Sequence, residues 1–249
     1  MEPEIYKWAG ALGVGIFAGF IGAMVGSGGL ITIPFLIFLG LPAHMAIATH
    51  KFGAVGLKIG ALTKFRKTDK IKWEYILPFS IIGVISAFAG AKLLLWIDKD
   101  LLSNLVIVLL LAVLPIVFLK KEVGTIFQKK SKLHEGVGYV LFFLAMVFSA
   151  FFGGGAATFI IYILMMFFGF TIIQSSATAM LPALILNIIA LVIFAYHGIV
   201  DYQVGFALFL GMMLGGRLGA ITAIKKGNKW VKVIFVLVVI ALIIKIATK

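Results

Sequence analysis

Two glycine clusters could bind an anion. Gly26-Ser27-Gly28-Gly29 interrupts the first apolar stretch of this 249-residue chain, and Gly153-Gly154-Gly155 interrupts a later one. Glycine lets the backbone turn sharply and exposes its amide groups. A helix that begins after such a cluster directs its N-terminal N–H groups and positive dipole end toward an anion. The alternative interpretation is close helix packing through small residues.

Cationic side chains inside apolar stretches point to the same chemistry. Lys51 and Lys58 are seven residues apart and therefore share one face of stretch 43–63. Because a cation at the centre of a membrane helix costs about 2.5–3.5 kcal/mol, each needs a function or a route to the surface. The depth of Lys51 favours binding, and Lys92 is expected to snorkel. For Lys58 and Arg217 both interpretations stay open.

Hydroxyl and imidazole groups accompany these cations, whereas carboxylates do not. All nine acidic residues fall in loops or at the edges of apolar stretches. Cation transporters usually bury a carboxylate in the membrane, so a site without one favours an anion. The residues predicted to bind the substrate are Ser27, Gly28, Gly29, Thr49, His50, Lys51, Gly154, Gly155, Ser175, Ser176, Thr178 and Arg217.

Neither a catalytic nor a metal site is predicted, and no cofactor is expected. The chain has no cysteine, so a thiol nucleophile or thiolate metal site is excluded. Its four histidines form no metal-binding spacing. An intramembrane enzyme could at most pair Ser27 with His50, and nothing in the sequence orients that histidine.

The elements that position these residues must be membrane helices. Hydrophobic residues make up 63% of the chain and charged residues 12%, which leaves no solvated shell for a soluble domain. The sequence therefore predicts an all-α polytopic membrane protein with the bilayer as its partner. The apolar stretches run roughly over 8–25, 30–40, 43–63, 73–95, 101–119, 137–152, 156–168, 171–195, 202–224 and 230–247.

The formal net charge of +13 is concentrated in short loops, which sets orientation and argues against nucleic-acid binding. Loops 64–72, 120–135 and 225–232 carry most of the lysines and arginines and are predicted to be cytoplasmic, in an inner (plasma) membrane. Both termini then fall outside. For the number of crossings to agree with this orientation, two pairs of stretches must each return to the side on which they start: 8–25 with 30–40, and 137–152 with 156–168. Each pair is then either a re-entrant, broken helical hairpin or two full crossings.

The two halves of the chain repeat at an offset of 129 residues. This offset superposes Gly26 on Gly155, Gly40 on Gly169 and Lys58 on Asn187. The predicted units are residues 1–120, a basic cytoplasmic linker 121–135 and residues 136–249. The copies start on opposite sides of the membrane and so form two inverted-topology repeats, each with a hairpin plus three transmembrane helices. Secondary transporters commonly use this architecture, with the substrate at the repeat interface.

The order of these motifs resembles the sulfite exporter TauE/SafE family over essentially the whole chain. In the first half the resemblance rests on 19–30, Ile33-Pro34, Gly40 and Ala48-Thr49. In the second half it rests on Gly153-Gly154-Gly155, Gly169, Ser176-Ala177-Thr178, 198–202 and 211–219. The resemblance implies export of sulfite, of organosulfonates or of related sulfur anions by a two-repeat membrane protein.

The expected function is therefore secondary transport, with export as the expected direction, of a small sulfur-containing anion by alternating access. An anion channel, or a permease for another small organic anion, would use the same residues, and turnover would separate a channel from a transporter. The sequence leaves open whether the protein is a monomer or a homodimer.

Overall fold

The structure, a computed structural model, describes residues 2–26, 28–98 and 131–247. These residues form eight α-helices and one 3-10 turn, Trp73–Tyr75. The helices are α1 (Glu2–Val25), α2 (Gly28–Phe38), α3 (Ala43–Phe65), α4 (Ile76–Trp96), α5 (Lys132–Phe151), α6 (Ala156–Phe167), α7 (Ile172–Tyr196) and α8 (Tyr202–Ala247). The predicted stretch 101–119 and most of the predicted linker 121–135 lie outside the described residues.

Five of the described helices are long and apolar enough to cross a membrane. The candidate spans are Tyr6–Val25, Trp73–Trp96, Lys132–Phe151, Ile172–Tyr196 and Tyr202–Val231. Helix α4 leaves Leu77, Ile81 and Phe88 more than half exposed, as expected for a face turned toward lipid. The predicted fold class, an all-α polytopic membrane protein, is confirmed.

Each glycine cluster separates a long helix from a short one. Helices α2 and α6 have 11 and 12 residues. At 1.5 Å per residue they reach about 16–18 Å, roughly half of a ~30 Å hydrocarbon core. Gly26 and Gly153 make the breaks with φ values of 81° each, where a side chain would be strained. The pairs α1/α2 and α5/α6 are therefore each a long helix followed by a short one, and neither short helix alone is long enough for a full crossing.

Helix starts follow local capping signals that hydropathy does not register. Thr171 and Gln174 form a capping box at the start of α7, because each side chain accepts a backbone N–H of the other residue. Ser131 caps α5, which begins five residues before the predicted apolar stretch. The predicted stretches 202–224 and 230–247 both lie within α8, interrupted by non-helical backbone at Gly227.

A seam of glycines brings α8 against α1 and α3 with backbone touching backbone. An added Cβ at Gly19 would lie 2.8 Å from Met212 Cα and 3.0 Å from Gly216 N. One at Gly216 would lie 3.1 Å from Leu57 Cα. Small residues permit this close approach in membrane helices. This glycine seam comprises Gly15 and Gly19 of α1, Gly56 and Gly60 of α3, and Gly211, Gly215, Gly216 and Gly219 of α8.

On the other side of the molecule, aromatic side chains from different helices pack against one another. Phe79 of α4 stacks on Phe142 of α5 with centroids 4.2 Å apart, and Phe168 meets Phe79 edge-on at 5.2 Å. Aromatic pairs at these distances add to the energy of burial. This aromatic cluster comprises Tyr75, Phe79, Tyr139, Phe142, Phe168 and Phe170.

Two hydrogen bonds join the halves at positions that the 129-residue offset superposes. The backbone N–H of Asp201 donates to Thr49 Oγ1 at 3.0 Å. The backbone N–H of Lys72 donates to Thr178 Oγ1, also at 3.0 Å. The offset places Thr49 on Thr178 and Lys72 on Asp201, so the same contact occurs twice with the halves exchanged. Asp201 follows α7 and binds near the start of α3, whereas Lys72 follows α3 and binds near the start of α7. The helices α3 and α7 therefore run antiparallel.

Candidate functional site

A cavity lies where the starts of α2 and α6 approach the middle of α3. About 30 Å³ is open to the centres of water-sized spheres, which is more than one water molecule requires. The lining comes from both halves of the chain: Gly22, Gly26, Gly28, Gly29, His50, Lys51, Ala54, Leu57, Lys58, Ser149, Gly153, Ala157, Asn187 and Met212. The first N–H groups of a helix have no partner within it, so two short helices bring their polar N-termini to one space.

The two glycine clusters meet at this cavity because neither carries a side chain there. A Cβ at Gly29 would lie 2.8 Å from the carbonyl oxygen of Gly153 and 3.0 Å from His50 Nε2. A Cβ at Gly153 would lie 2.8 Å from Lys51 Nζ. The predicted approach of Gly29, His50 and Lys51 is thus present in the structure, with the second cluster beside them.

His50 is buried, with one ring nitrogen held and the other directed at the glycines. Its Nδ1 lies 2.7 Å from Thr32 Oγ1, which is also 3.2 Å from the Gly28 carbonyl oxygen. If the hydroxyl donates to that carbonyl, Nδ1 must carry a proton and donate to the hydroxyl. Nε2 then remains the acceptor toward Gly29 and Gly153, and it makes no hydrogen bond to the described residues.

The ammonium group of Lys51 reaches across the cavity to the second half of the chain. The side chain is 1% exposed, and Nζ donates to the backbone carbonyl of Ser149 near the end of α5. A carbonyl orients an ammonium group without cancelling its charge. Lys58, two turns further along α3, lines the same cavity. The cavity therefore contains three basic side chains, and none of the acidic residues in the described ranges lines it.

Several predicted binding residues lie elsewhere and hold backbone groups. Thr49 and Thr178 accept the loop hydrogen bonds described above. The Ser176 hydroxyl donates to the carbonyl of Ala23 at 2.7 Å, near the end of α1. These hydroxyls join the two halves of the chain, and none of the three residues lines the cavity.

The remaining predicted residues border the cavity or lie apart from it. Gly154 and Gly155 belong to the cluster next to it without lining it, and Gly155 starts α6 in a left-handed conformation. Ser175 is buried, and its hydroxyl has no hydrogen-bond partner among the described residues. Arg217 is exposed on α8, and Ser27 lies outside the described residues. A substrate-binding role for each of these five stays a prediction.

Four residues that line or support the cavity with a polar group were absent from the predicted set: Thr32, Lys58, Ser149 and Asn187. The signal for Lys58 and Asn187 was their match at the 129-residue offset, and both line the cavity. Thr32 is the only hydroxyl residue of α2, which marks it as a polar group in an apolar helix. Ser149 acts through its backbone carbonyl, so its residue type carried no signal.

The helices and the cavity define a multi-pass membrane protein with a polar site where the starts of two short helices meet. A sequence model of the family described as "Sulfite exporter TauE/SafE" matches residues 11–246. The chain belongs to this family, as the motif resemblance predicted.

Curated relatives are similar over most of their length. The "Probable membrane transporter protein ORF9" of Sinorhizobium sp is 28% identical, covering 92% of this chain and 88% of the relative. YfcA of Escherichia coli (strain K12), a "Probable membrane transporter protein", is 28% identical over 90% and 84%. A relative of the same description in Haemophilus influenzae is 27% identical over 88% and 86%. No solved structure is significantly similar.

The family and its relatives place this chain among membrane transporters, as predicted, and not among enzymes. The intramembrane Ser27–His50 enzyme considered from the sequence is therefore set aside. Substrate, direction and sidedness are taken up below.

Proposed function

We propose that the protein is a secondary transporter, working as an exporter, of sulfur-containing anions such as sulfite or organosulfonates. It alternates access around the cavity at the interface of two inverted repeats. The observation that carries the proposal is the cavity itself: His50, Lys51 and Lys58 line it together with the starts of α2 and α6. Cationic side chains and helix N-termini in one enclosed space favour an anion.

The family description supports sulfur oxyanions as the substrate class, because it names sulfite export. The names of the relatives support membrane transport and specify no substrate.

The hydrogen bonds of Thr49 and Thr178 support the inverted repeats and alternating access. They join the halves at opposite ends of the antiparallel pair α3 and α7. An inverted repeat makes the two ends of the site equivalent, which is the symmetry that alternating access uses. We place the protein in the inner (plasma) membrane with the basic loops in the cytoplasm and both termini outside.

The test is sulfite and sulfoacetate flux in proteoliposomes of the purified full chain, with empty liposomes as control. Saturable flux of either anion supports the proposal. A folded, inserted protein that moves neither anion contradicts it. Currents far beyond the turnover of a rocking site would instead indicate an anion channel. A His50→Ala variant with full sulfite flux would remove that histidine from the mechanism.

A further inference from the structure

The charges around the cavity are unbalanced, and this imbalance carries information about the substrate. The acidic residues whose side chains the structure describes are Asp69, Glu74, Asp98, Glu135 and Asp201, and none of them lines the cavity. Lys70 pairs with Asp69 in a loop, at 2.7 Å and away from the cavity. The cationic side chains of the cavity therefore have no carboxylate partner in the described part of the chain.

Lys51 and Lys58 both line this one space, from the same face of α3. Lys51 is held by the neutral carbonyl of Ser149. Lys58 makes no hydrogen bond or ion pair with the described residues. Uncompensated charge within a membrane is costly, so an anion that enters the cavity gains most when it balances both groups.

The second half of the chain places a neutral group opposite. Asn187 occupies the position that the 129-residue offset assigns to Lys58, and it lines the same cavity. Its side-chain amide donates to the carbonyl of Ala183 at 2.5 Å, within its own helix. The cavity thus has two ammonium groups from the first half and an amide from the second, and a carboxylate at 187 would offset one of those charges.

We infer that the site selects a small, doubly charged oxyanion and that Lys58 is the residue that sets this charge preference. A singly charged anion of the same shape satisfies Lys51 and leaves Lys58 without a counter-charge. This inference rests on the proposed transport of sulfur oxyanions and adds the charge of the transported species.

The test compares two probes with the same sulfur–oxygen head and different charge, sulfate and methanesulfonate. Each is titrated as a competitor of sulfite flux in proteoliposomes, and each is titrated separately as a stabiliser of the detergent-purified full chain against thermal unfolding. The wild type is expected to prefer sulfate by about tenfold or more, in line with the gain or loss of one charge pair. Lys58→Gln is expected to abolish most of this preference, and Lys58→Arg to keep it.

Lys92→Gln is the matched control. Lys92 also lies in a membrane helix, but its ammonium group is 4.5 Å from the Trp96 ring centroid and lines no part of the cavity. It should leave the preference unchanged. If Lys58→Gln does not fold, the near-isosteric Asn187→Asp introduces a carboxylate into the same cavity and should weaken the preference in the same direction.

Equal competition by the two probes in the wild type, or an unchanged preference in both Lys58→Gln and Asn187→Asp, overturns the inference. The thermal measurement separates this failure from failure of the proposed function. Charge-selective stabilisation without flux would retain the dianion site and contradict transport. Flux without charge selectivity would retain transport and contradict the dianion site.

Discussion

His50 links the first glycine cluster to the cavity through a short chain of hydrogen bonds. Thr32 fixes one ring nitrogen and thereby sets which nitrogen faces the second cluster. We expect His50→Ala to reduce sulfite flux by about tenfold or more, because a positioned polar group is lost from a desolvated site. The measurement is initial flux in proteoliposomes at matched protein density.

His197→Ala is the control for this prediction. That histidine is exposed, and its Nδ1 lies 2.8 Å from the carbonyl oxygen of Ile193 in its own helix. It should leave flux unchanged. Equal losses in both variants would mean that the effect of His50→Ala is not specific to the cavity.

Gly29 is a residue at which even one added methyl group should disturb the cavity. Its Cβ would lie 3.0 Å from Gly154 Cα as well as against Gly153 and His50. Backbone there cannot yield cheaply, so Gly29→Ala should force α2 and α6 apart and cost about 1–3 kcal/mol of stability. The thermal unfolding temperature in detergent and the sulfite flux should both fall.

Gly13→Ala provides the comparison on α1, since a Cβ there meets nothing within 4 Å. Alanine is the better helix former, so this variant should unfold at the same temperature or higher. A Gly29→Ala protein as stable and active as Gly13→Ala would contradict the close approach of the two clusters.

At the scale of elements, the loops that lead into α4 and α8 are each anchored to the opposite half of the chain. Removing the hydroxyl with Thr49→Val or Thr178→Val leaves the loop N–H of Asp201 or Lys72 without this acceptor. We expect each substitution to cost about 1 kcal/mol, within the range for interhelical hydrogen bonds in membrane proteins. The measurement is the thermal unfolding temperature of each purified variant, compared with that of the wild type.

Thr222→Val is the matched variant, because that hydroxyl is exposed and donates to Leu218 in its own helix at 2.9 Å. It should change stability little. If either anchoring variant were as stable as Thr222→Val, the two contacts would not be energetically equivalent and the matching at the 129-residue offset would be incidental.

Element boundaries followed from hydropathy where an apolar stretch coincides with a helix. The stretches predicted at 43–63 and 171–195 correspond to Ala43–Phe65 and Ile172–Tyr196. The starts of α1 and α5 were placed late, because polar first turns extend beyond the apolar stretch. The polar break predicted at 225–229 corresponds to the non-helical backbone at Gly227, which divides α8.

The lysine in the site could be predicted from the sequence, whereas the role of the hydroxyl residues could not, for a physical reason. A lysine deep in a membrane helix, such as Lys51, needs a specific environment, so its residue type alone marks a site. A hydroxyl such as that of Thr178 or Ser176 satisfies itself equally well with a backbone group. Which of the two it does depends on the neighbouring half of the chain, and local sequence does not contain that information.

At the scale of the whole molecule, orientation in the membrane is the property to measure. The chain has no cysteine, so single cysteines can be introduced without a background signal. Lys67→Cys and His197→Cys both replace exposed residues in loops that follow the antiparallel helices α3 and α7. We expect an impermeant thiol reagent to label position 197 from outside the cell and position 67 only after the membrane is opened.

Labelling of both cysteines from the same side would contradict the predicted parity of the crossings. Labelling of position 67 from outside, and of position 197 only from within, would reverse the orientation while keeping the antiparallel arrangement. Sulfite flux by each labelled variant checks that the cysteine protein is still folded.

The two sides of the molecule should differ in mechanical stiffness. Along the glycine seam, α8 meets α1 and α3 mainly backbone to backbone, with the rings of Phe52 and Phe209 in contact beside it at 5.5 Å. Displacement along the helix axis should therefore meet less steric resistance where glycines line the contact than where large side chains do. The aromatic cluster resists such displacement, because Phe79 and Phe142 cannot slide past each other without unstacking. Shear between packed helices is an established form of domain motion. In this protein, shear would follow the glycine seam. The helices around the aromatic cluster would then stay fixed relative to one another while α8 moves against α1 and α3.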